Sequence, residues 1–150
     1  MYVVVASDHA GFDYKTLLIP VLMASGFKPV DLGAYDTKAS DYPDHAAAVA
    51  GAILAGQAEK GIIICGSGVG VSIAANKFKG IRAGVCHDTY SAHQSVEHDN
   101  ANVLCIGERI IGTALMYEIC IAFLQASFSA EERHVKRLDK VKQIEDANFK

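Results

Sequence analysis

Gly61-Ile-Ile-Ile-Cys65-Gly66-Ser67-Gly68-Val69-Gly70-Val71-Ser72-Ile73-Ala74-Ala75-Asn76-Lys77 is the stretch that decides how this chain folds. Its opening residues are apolar at consecutive positions, the pattern of a strand covered on both faces. Glycines then alternate at 66, 68 and 70, and helical spacing runs from Val69 to Lys77. Strand, glycine turn and helix together make the half-unit of a parallel α/β fold.

Four other short apolar runs flank this one, at residues 2–6, 27–33, 82–86 and 102–107. Helix-spaced stretches lie between them. Tyr14, Leu17, Leu18, Val21 and Leu22 form one stripe, and an Ala-rich segment at 43–57, opened near Asp41 and closed at Gly56, forms another. Residues 88–97 and 109–126 follow. The alternation predicts a doubly wound, five-stranded parallel sheet with right-handed crossovers and the flavodoxin-like order 2-1-3-4-5. No repeat or linker interrupts it, so a single domain over 1–150 is expected. The last twenty residues break the pattern. Ser129-Ala-Glu-Glu132 offers a capping box, and Val135, Leu138, Val141 and Ile144 recur every three residues. They predict a C-terminal amphipathic helix over 129–150 with no strand after it, placed at a subunit interface.

The composition narrows the function classes. Hydrophobic residues make up 51% and charged residues 21%, a globular balance. A net charge of −3 argues against nucleic-acid or anionic-membrane binding over the whole surface, though not against a local basic patch. The apolar runs are strand-sized, too short to span a bilayer. Met1 leads directly into Tyr2-Val-Val-Val-Ala6, without a basic segment or cleavage site, so no secretory leader is expected. The four cysteines, at 65, 86, 105 and 120, contain no Cys-x-x-Cys pair, so neither a zinc ribbon nor a dithiol site is written here. Cys86, Cys105 and Cys120 read as core packing, and a reducing, cytoplasmic compartment is expected.

In an open α/β sheet, ligands bind beyond the carboxyl ends of the strands, where the strand order reverses. In the expected order that point lies between strands one and three. Their exits, Ser7-Asp8-His9-Ala10-Gly11 and Cys65-Gly66-Ser67-Gly68-Val69-Gly70, are the most polar and glycine-rich in the chain. Gly66, Gly68 and Gly70 ahead of a helix make a nest of N–H groups for a phosphate or oxyanion. Val71 stands where a dinucleotide fingerprint needs its third glycine, and no Gly-Lys-Ser/Thr follows, so nucleotide binding is disfavoured. Cys65 at the nest reads equally as a thiolate nucleophile or base and as a small buried residue ending a strand. Asp8-His9 aims a carboxylate and an imidazole at the crevice, or completes a turn. His98-Asp99-Asn100 lies before strand five, out of easy reach of the crevice within one subunit. His45, His87 and His93 lack ligand spacing, so no metal site is expected. Arg133 and Arg137 are i, i+4 neighbours with His134 beside them, spaced to clamp a dianion or to form a solvated charged face. Arg109, at the expected start of the long helix, is a further candidate.

Taken together, Ser7-Asp8-His9-Ala10-Gly11-Phe12, Asp41-Tyr42-Pro43, Cys65-Gly-Ser-Gly-Val-Gly70, Ile73-Ala-Ala-Asn-Lys77 with Gly80-Ile-Arg-Ala83, and Gly107-Glu-Arg109 resemble the type B ribose-5-phosphate isomerases, a family that includes galactose-6-phosphate isomerase subunits. Glu131-Glu-Arg-His-Val-Lys-Arg137 extends the likeness into the last helix. The resemblance implies cofactor-independent interconversion of ribose 5-phosphate and ribulose 5-phosphate through a cis-enediolate, in a flavodoxin-like homodimer with shared active sites and with a tetramer left open. It implies Cys65 as the proton-shuttling base, some relatives carrying Glu at the position of Val71 instead. It also implies Ser67 and the amides of Gly66 to Gly70 as enediolate donors, and Asp8 with His98 of the partner subunit as ring-opening groups. His9, Arg109, Arg133, Arg137 and His134 would bind the phosphate, with Tyr42, Asp99 and Asn100 completing the substrate site. The family ordinarily reads His-Asn at 98–99, where this chain has His98-Asp99, which sets a carboxylate beside a developing anion. A hexose-phosphate isomerase and a non-catalytic sugar-phosphate-binding module are the competing classes.

Overall fold

Among the described residues, 1–149, five strands and six α-helices alternate in the computed structural model. They are β1 (Tyr2–Ser7), α1 (Phe12–Ala24), β2 (Lys28–Asp31), α2 (Tyr42–Leu54), β3 (Lys60–Cys65) and α3 (Val69–Ala75). β4 (Ala83–Val85), α4 (Thr89–Asp99), β5 (Val103–Gly107), α5 (Thr113–Gln125) and α6 (Glu132–Asn148) complete the chain. Every strand pairing is parallel. The doubly wound α/β class is as expected, but the strand order is β2-β1-β3-β5-β4, so the last two strands exchange places. Burial explains the exchange. All residues of β5 are buried, whereas none of the three residues of β4 is. A strand this apolar belongs inside the sheet, and the shorter, less buried one serves at the edge.

Successive side chains point to opposite faces of the sheet, so each strand feeds two cores. Val3, Val5, Ile62, Ile64, Leu104 and Ile106 meet Leu18 and Leu22 of α1, Ala92 and Val96 of α4, and Met116, Ile119 and Phe123 of α5. Val4, Ala6, Ile63, Cys65, Val103 and Cys105 meet Val49 and Ala50 of α2 and Val71 and Ala75 of α3. Each large apolar side chain buried this way contributes roughly 1.5–3 kcal/mol.

Helix α1 departs from its expected stripe. Leu18 and Leu22 are buried, but Leu17 is exposed and Lys15 takes the remaining inward position. Its ammonium pairs with Asp31 Oδ1 at 2.6 Å and donates to the Ala34 carbonyl. A buried cation is tolerated when its donors are used in this way. Asp31 Oδ1 also accepts the Gly33 amide at 2.9 Å, so Lys15 fastens the segment that leaves β2 toward α2.

The last helix also starts later than its capping box implied. Glu131 is the N-cap, and its side chain makes no capping bond to the helix backbone. Ser129 instead bonds His134 Nδ1 at 2.6 Å and accepts the Glu131 amide at 3.2 Å. Of the described α6 residues only His134 is buried, and Val135, Val141 and Ile144 of the predicted apolar stripe lie exposed in the single chain. The expectation for position 150 lies outside the described residues. Among those described, no helix is long and apolar enough to cross a membrane.

Candidate active site

Three strand exits, those of β1, β3 and β5, converge on one open cleft of about 410 Å³. Asp8 and His9 come from β1; Cys65, Gly66, Ser67 and Gly70 from β3; Arg109 from β5; and Tyr42 from the start of α2. At the β1 exit Asp8 is buried, and its Oδ1 accepts the amides of Ala10 (2.9 Å) and Gly11 (3.1 Å), capping a short 3-10 turn over His9–Gly11. Gly11 lies directly on β3. A Cβ there would stand 2.2 Å from the Ile64 carbonyl oxygen, so only glycine lets the two exits close together. His9 Nδ1 accepts the Ser40 amide at 3.2 Å, which puts the proton of the neutral ring on Nε2.

At the β3 exit Cys65 is 5% exposed, on the cleft floor, and its Sγ accepts the Gly68 amide at 3.0 Å. Gly68 has φ +79° and packs on Ile106, where a Cβ would meet the backbone carbonyl carbon at 3.0 Å. Left-handed backbone of this kind costs glycine nothing and strains other residues. The Ser67 hydroxyl accepts the Val69 amide at 3.3 Å. Gly70 sits under the Tyr42 ring, 3.0 Å from where its Cβ would be. Val71 is fully buried.

The strand order brings the third exit in. Because β5 adjoins β3, their ladder continues past the strands: the Glu108 amide donates to the Cys65 carbonyl at 2.8 Å and the Arg109 amide to the Gly66 carbonyl at 3.1 Å. Arg109 Nη1 would lie 3.2 Å from a Cβ on Gly66. Arg109 therefore sits in a turn ahead of α5, and not at a helix start as expected. In the order 2-1-3-4-5 it would have been a strand further away.

His98, Asp99, Asn100, Arg133, His134 and Arg137 do not line this cleft. They gather where the end of α4 meets the start of α6. The His98 and His134 rings stack with centroids 4.1 Å apart, and His98 Nδ1 lies 3.1 Å from Gln94 Nε2. His134 Nε2 is buried without a partner. Burial foremost, then electrostatic repulsion from the neighbouring His98 and Arg133 side chains, holds the His134 imidazole below its ordinary range. Asn100 ends α4 in the left-handed region at φ 50°, its carbonyl accepting Arg82 Nε at 2.6 Å. Arg133 pairs with Glu131 at 3.0 Å, both exposed, an ion pair worth about 0–1 kcal/mol. Arg137 is exposed.

Three residues that sequence reasoning left unassigned support the cleft. Glu108 Oε2 accepts the Tyr14 amide at 3.1 Å, while the Tyr14 hydroxyl donates to the Ile111 carbonyl at 2.6 Å, tying the β5 exit to α1. Burial raises the Glu108 carboxyl, with the Tyr14 hydrogen bond opposing. His87 accepts the Gly107 amide at 2.9 Å, and Lys15 holds Asp31 and Ala34, where the connection toward α2 begins. Only Glu108 carried a sequence signal, its place beside Arg109. Among the described residues, no group of three or more His, Cys, Asp or Glu side chains is placed to hold a metal ion.

A cleft lined by a glycine loop with one thiol, one carboxylate, one imidazole and one guanidinium suits proton transfer on a small anionic substrate. Comparison with known proteins specifies the class. Residues 3–141 match the family described as Ribose/Galactose Isomerase. The ribose-5-phosphate isomerase B of Escherichia coli K12 is 43% identical over 138 residues, covering 92% of each chain. A type B ribose 5-phosphate isomerase structure from Trypanosoma cruzi superposes with TM-score 0.95 at 43% identity, over 99% of this chain and 100% of that one. The Mycoplasma genitalium ribose-5-phosphate isomerase B, solved with bound ribulose-5-phosphate, gives TM-score 0.90 at 39% identity, over 97% and 96%. The chain belongs to the ribose/galactose isomerase family. Its activity is that of a sugar-phosphate isomerase.

Proposed function

We propose that the chain interconverts ribose 5-phosphate and ribulose 5-phosphate through a cis-enediolate, with the Cys65 thiolate as the base. The observation that carries this reading is Cys65 Sγ on the cleft floor, hydrogen-bonded to the Gly68 amide, within a nest of glycine N–H groups. Proton transfer next to a carbonyl needs a base and preorganised donors for the oxygen that becomes negative. Cys65 takes the proton from carbon 2 of the open-chain aldose. Charge then develops on the carbonyl oxygen at carbon 1, where Ser67 and the amides of Gly66 to Gly70 receive it. Returning the proton to carbon 1, with transfer of the hydroxyl proton between the two oxygens, gives the ketose. No redox cofactor enters the balance.

Asp8 opens the furanose ring together with His98 of the partner subunit. His9 and Arg109 hold the phosphate with Arg133, His134 and Arg137 contributed from across a homodimer, and Tyr42, Asp99 and Asn100 complete the substrate site. Two observations support the shared site: the second cluster lies apart from the cleft within one chain, and the apolar stripe of α6 is exposed there. The four cysteines are free and buried, which suits a reducing cytoplasm. The test is a coupled assay of the purified chain on ribose 5-phosphate, allose 6-phosphate and galactose 6-phosphate, with and without chelator. The pentose should turn over fastest, unchanged by chelator. Turnover confined to a hexose phosphate, or abolished by chelator, would refute the assignment.

A further inference from the structure

β5 outruns its edge neighbour. In a parallel strand a residue's N–H and C=O point to the same side, so Cys105 and Gly107 face β4 while Ile106 and Glu108 face β3. β4 ends at Val85, opposite Cys105, and the Cys86 amide still donates to the Cys105 carbonyl at 3.3 Å. The next group on that side, the Gly107 amide, finds no strand carbonyl. It donates instead to His87 Nε2 at 2.9 Å. The imidazole replaces the missing rung of the ladder.

Gly107 is where the cleft floor rests. A Cβ on it would stand 2.7 Å from Ser67 Cα and 2.7 Å from Ile110 Cγ1, so the glycine loop lies directly on this backbone. The residues that follow donate to the Cys65 and Gly66 carbonyls, and Arg109 extends over Gly66. We propose that His87 is a positioning residue for the isomerase reaction: its neutral Nε2 accepts the Gly107 amide and so sets the height of the Gly107–Arg109 strip that carries the anion-binding guanidinium. The proposal rests on the sugar-phosphate isomerase reading of the cleft. It requires an acceptor at His87 Nε2, with the ring proton on Nδ1. Burial, opposed by the negative charge of the adjacent Asp88, holds His87 below the ordinary imidazole range, in keeping with that form.

The test compares His87→Gln, which retains an acceptor of similar reach, with His87→Leu, which retains bulk alone. His87→Leu is expected to raise KM for ribose 5-phosphate about five- to tenfold, the scale of one lost buried hydrogen bond, and to change kcat less. His87→Gln should stay within about twofold of the parent, the rescue expected if acceptance alone matters. Equal damage in both variants, or an unchanged KM in His87→Leu, would overturn the proposal. Should His87→Leu fail to fold, the parent protein still decides. A through-hydrogen-bond coupling between the Gly107 amide nitrogen and His87 Nε2 is expected by NMR, and its absence refutes the contact. This readout needs no substrate, so a parent chain inactive on pentose phosphate but showing the coupling would overturn the functional reading and not the contact.

Discussion

At the end of β3 one sulfur meets one backbone amide, and the proposed chemistry depends on that meeting. The Gly68 N–H points at Cys65 Sγ because Gly68 adopts a left-handed conformation just before α3. The Val69 amide is taken up by the Ser67 hydroxyl, so in the proposed site the Gly70 amide is the helix-start donor left for a substrate oxygen. Titration at single residues, beside the cleft and in the α4–α6 cluster, has consequences for stability. His87 is held below its ordinary pKa by burial, and His134 shifts the same way. The unfolded chain therefore takes up protons at these positions first, starting near the ordinary value of about 6.5. Their contribution to stability is complete above that value and declines as pH falls toward the lowered folded pKa. Glu108, raised by burial, acts in the opposite sense at lower pH. Urea midpoints at pH 7.5 and 5.5 should show the lower value at 5.5, and His87→Gln should narrow the difference. A midpoint that rises on acidification would contradict the assigned directions.

At the scale of elements, what the sequence disclosed followed burial, and what it concealed followed pairing. Consecutive apolar residues marked β1, β3 and β5 because each is covered on both faces, and the glycine turn after β3 was visible in its spacing. Which strand neighbours which was not visible. Residues 82–86 and 102–107 both read as apolar runs, and only packing separates the half-buried β4 from the interior β5. The position of Arg109 in the cleft depends on that choice. Lys15 was concealed for a related reason. A lysine at an inward helical position looks like an interruption until Asp31 and Ala34 arrive from a different strand exit to satisfy it. His87 gave no signal because its partner is a backbone amide, which no side-chain pattern records. The stacked His98 and His134 are 36 positions apart in the chain and meet only through the packing of α6 on α4.

For the whole molecule, the proposed function requires two separated clusters to serve one substrate. Cys65, His9 and Arg109 line the cleft, while His98, Arg133 and Arg137 lie together elsewhere, beside a helix whose apolar stripe is uncovered. In the homodimer proposed above, one chain's second cluster completes the other's cleft, across a closed two-fold interface. Complementation reads this directly. Mixed refolding of inactive Cys65→Ala with inactive Arg137→Ala should restore about a quarter of parental activity, since half of the random dimers then carry one intact site of two. No recovery, with dimers present, would place each site within one chain. The proton carrier itself is tested most directly by steady-state isomerisation of ribose 5-phosphate by purified, folded Cys65→Ala. kcat should fall about 10²–10⁴-fold with KM within a few-fold of the parent, as loss of a general base requires. Turnover retained within a few-fold of the parent would show that the sulfur does not carry the proton.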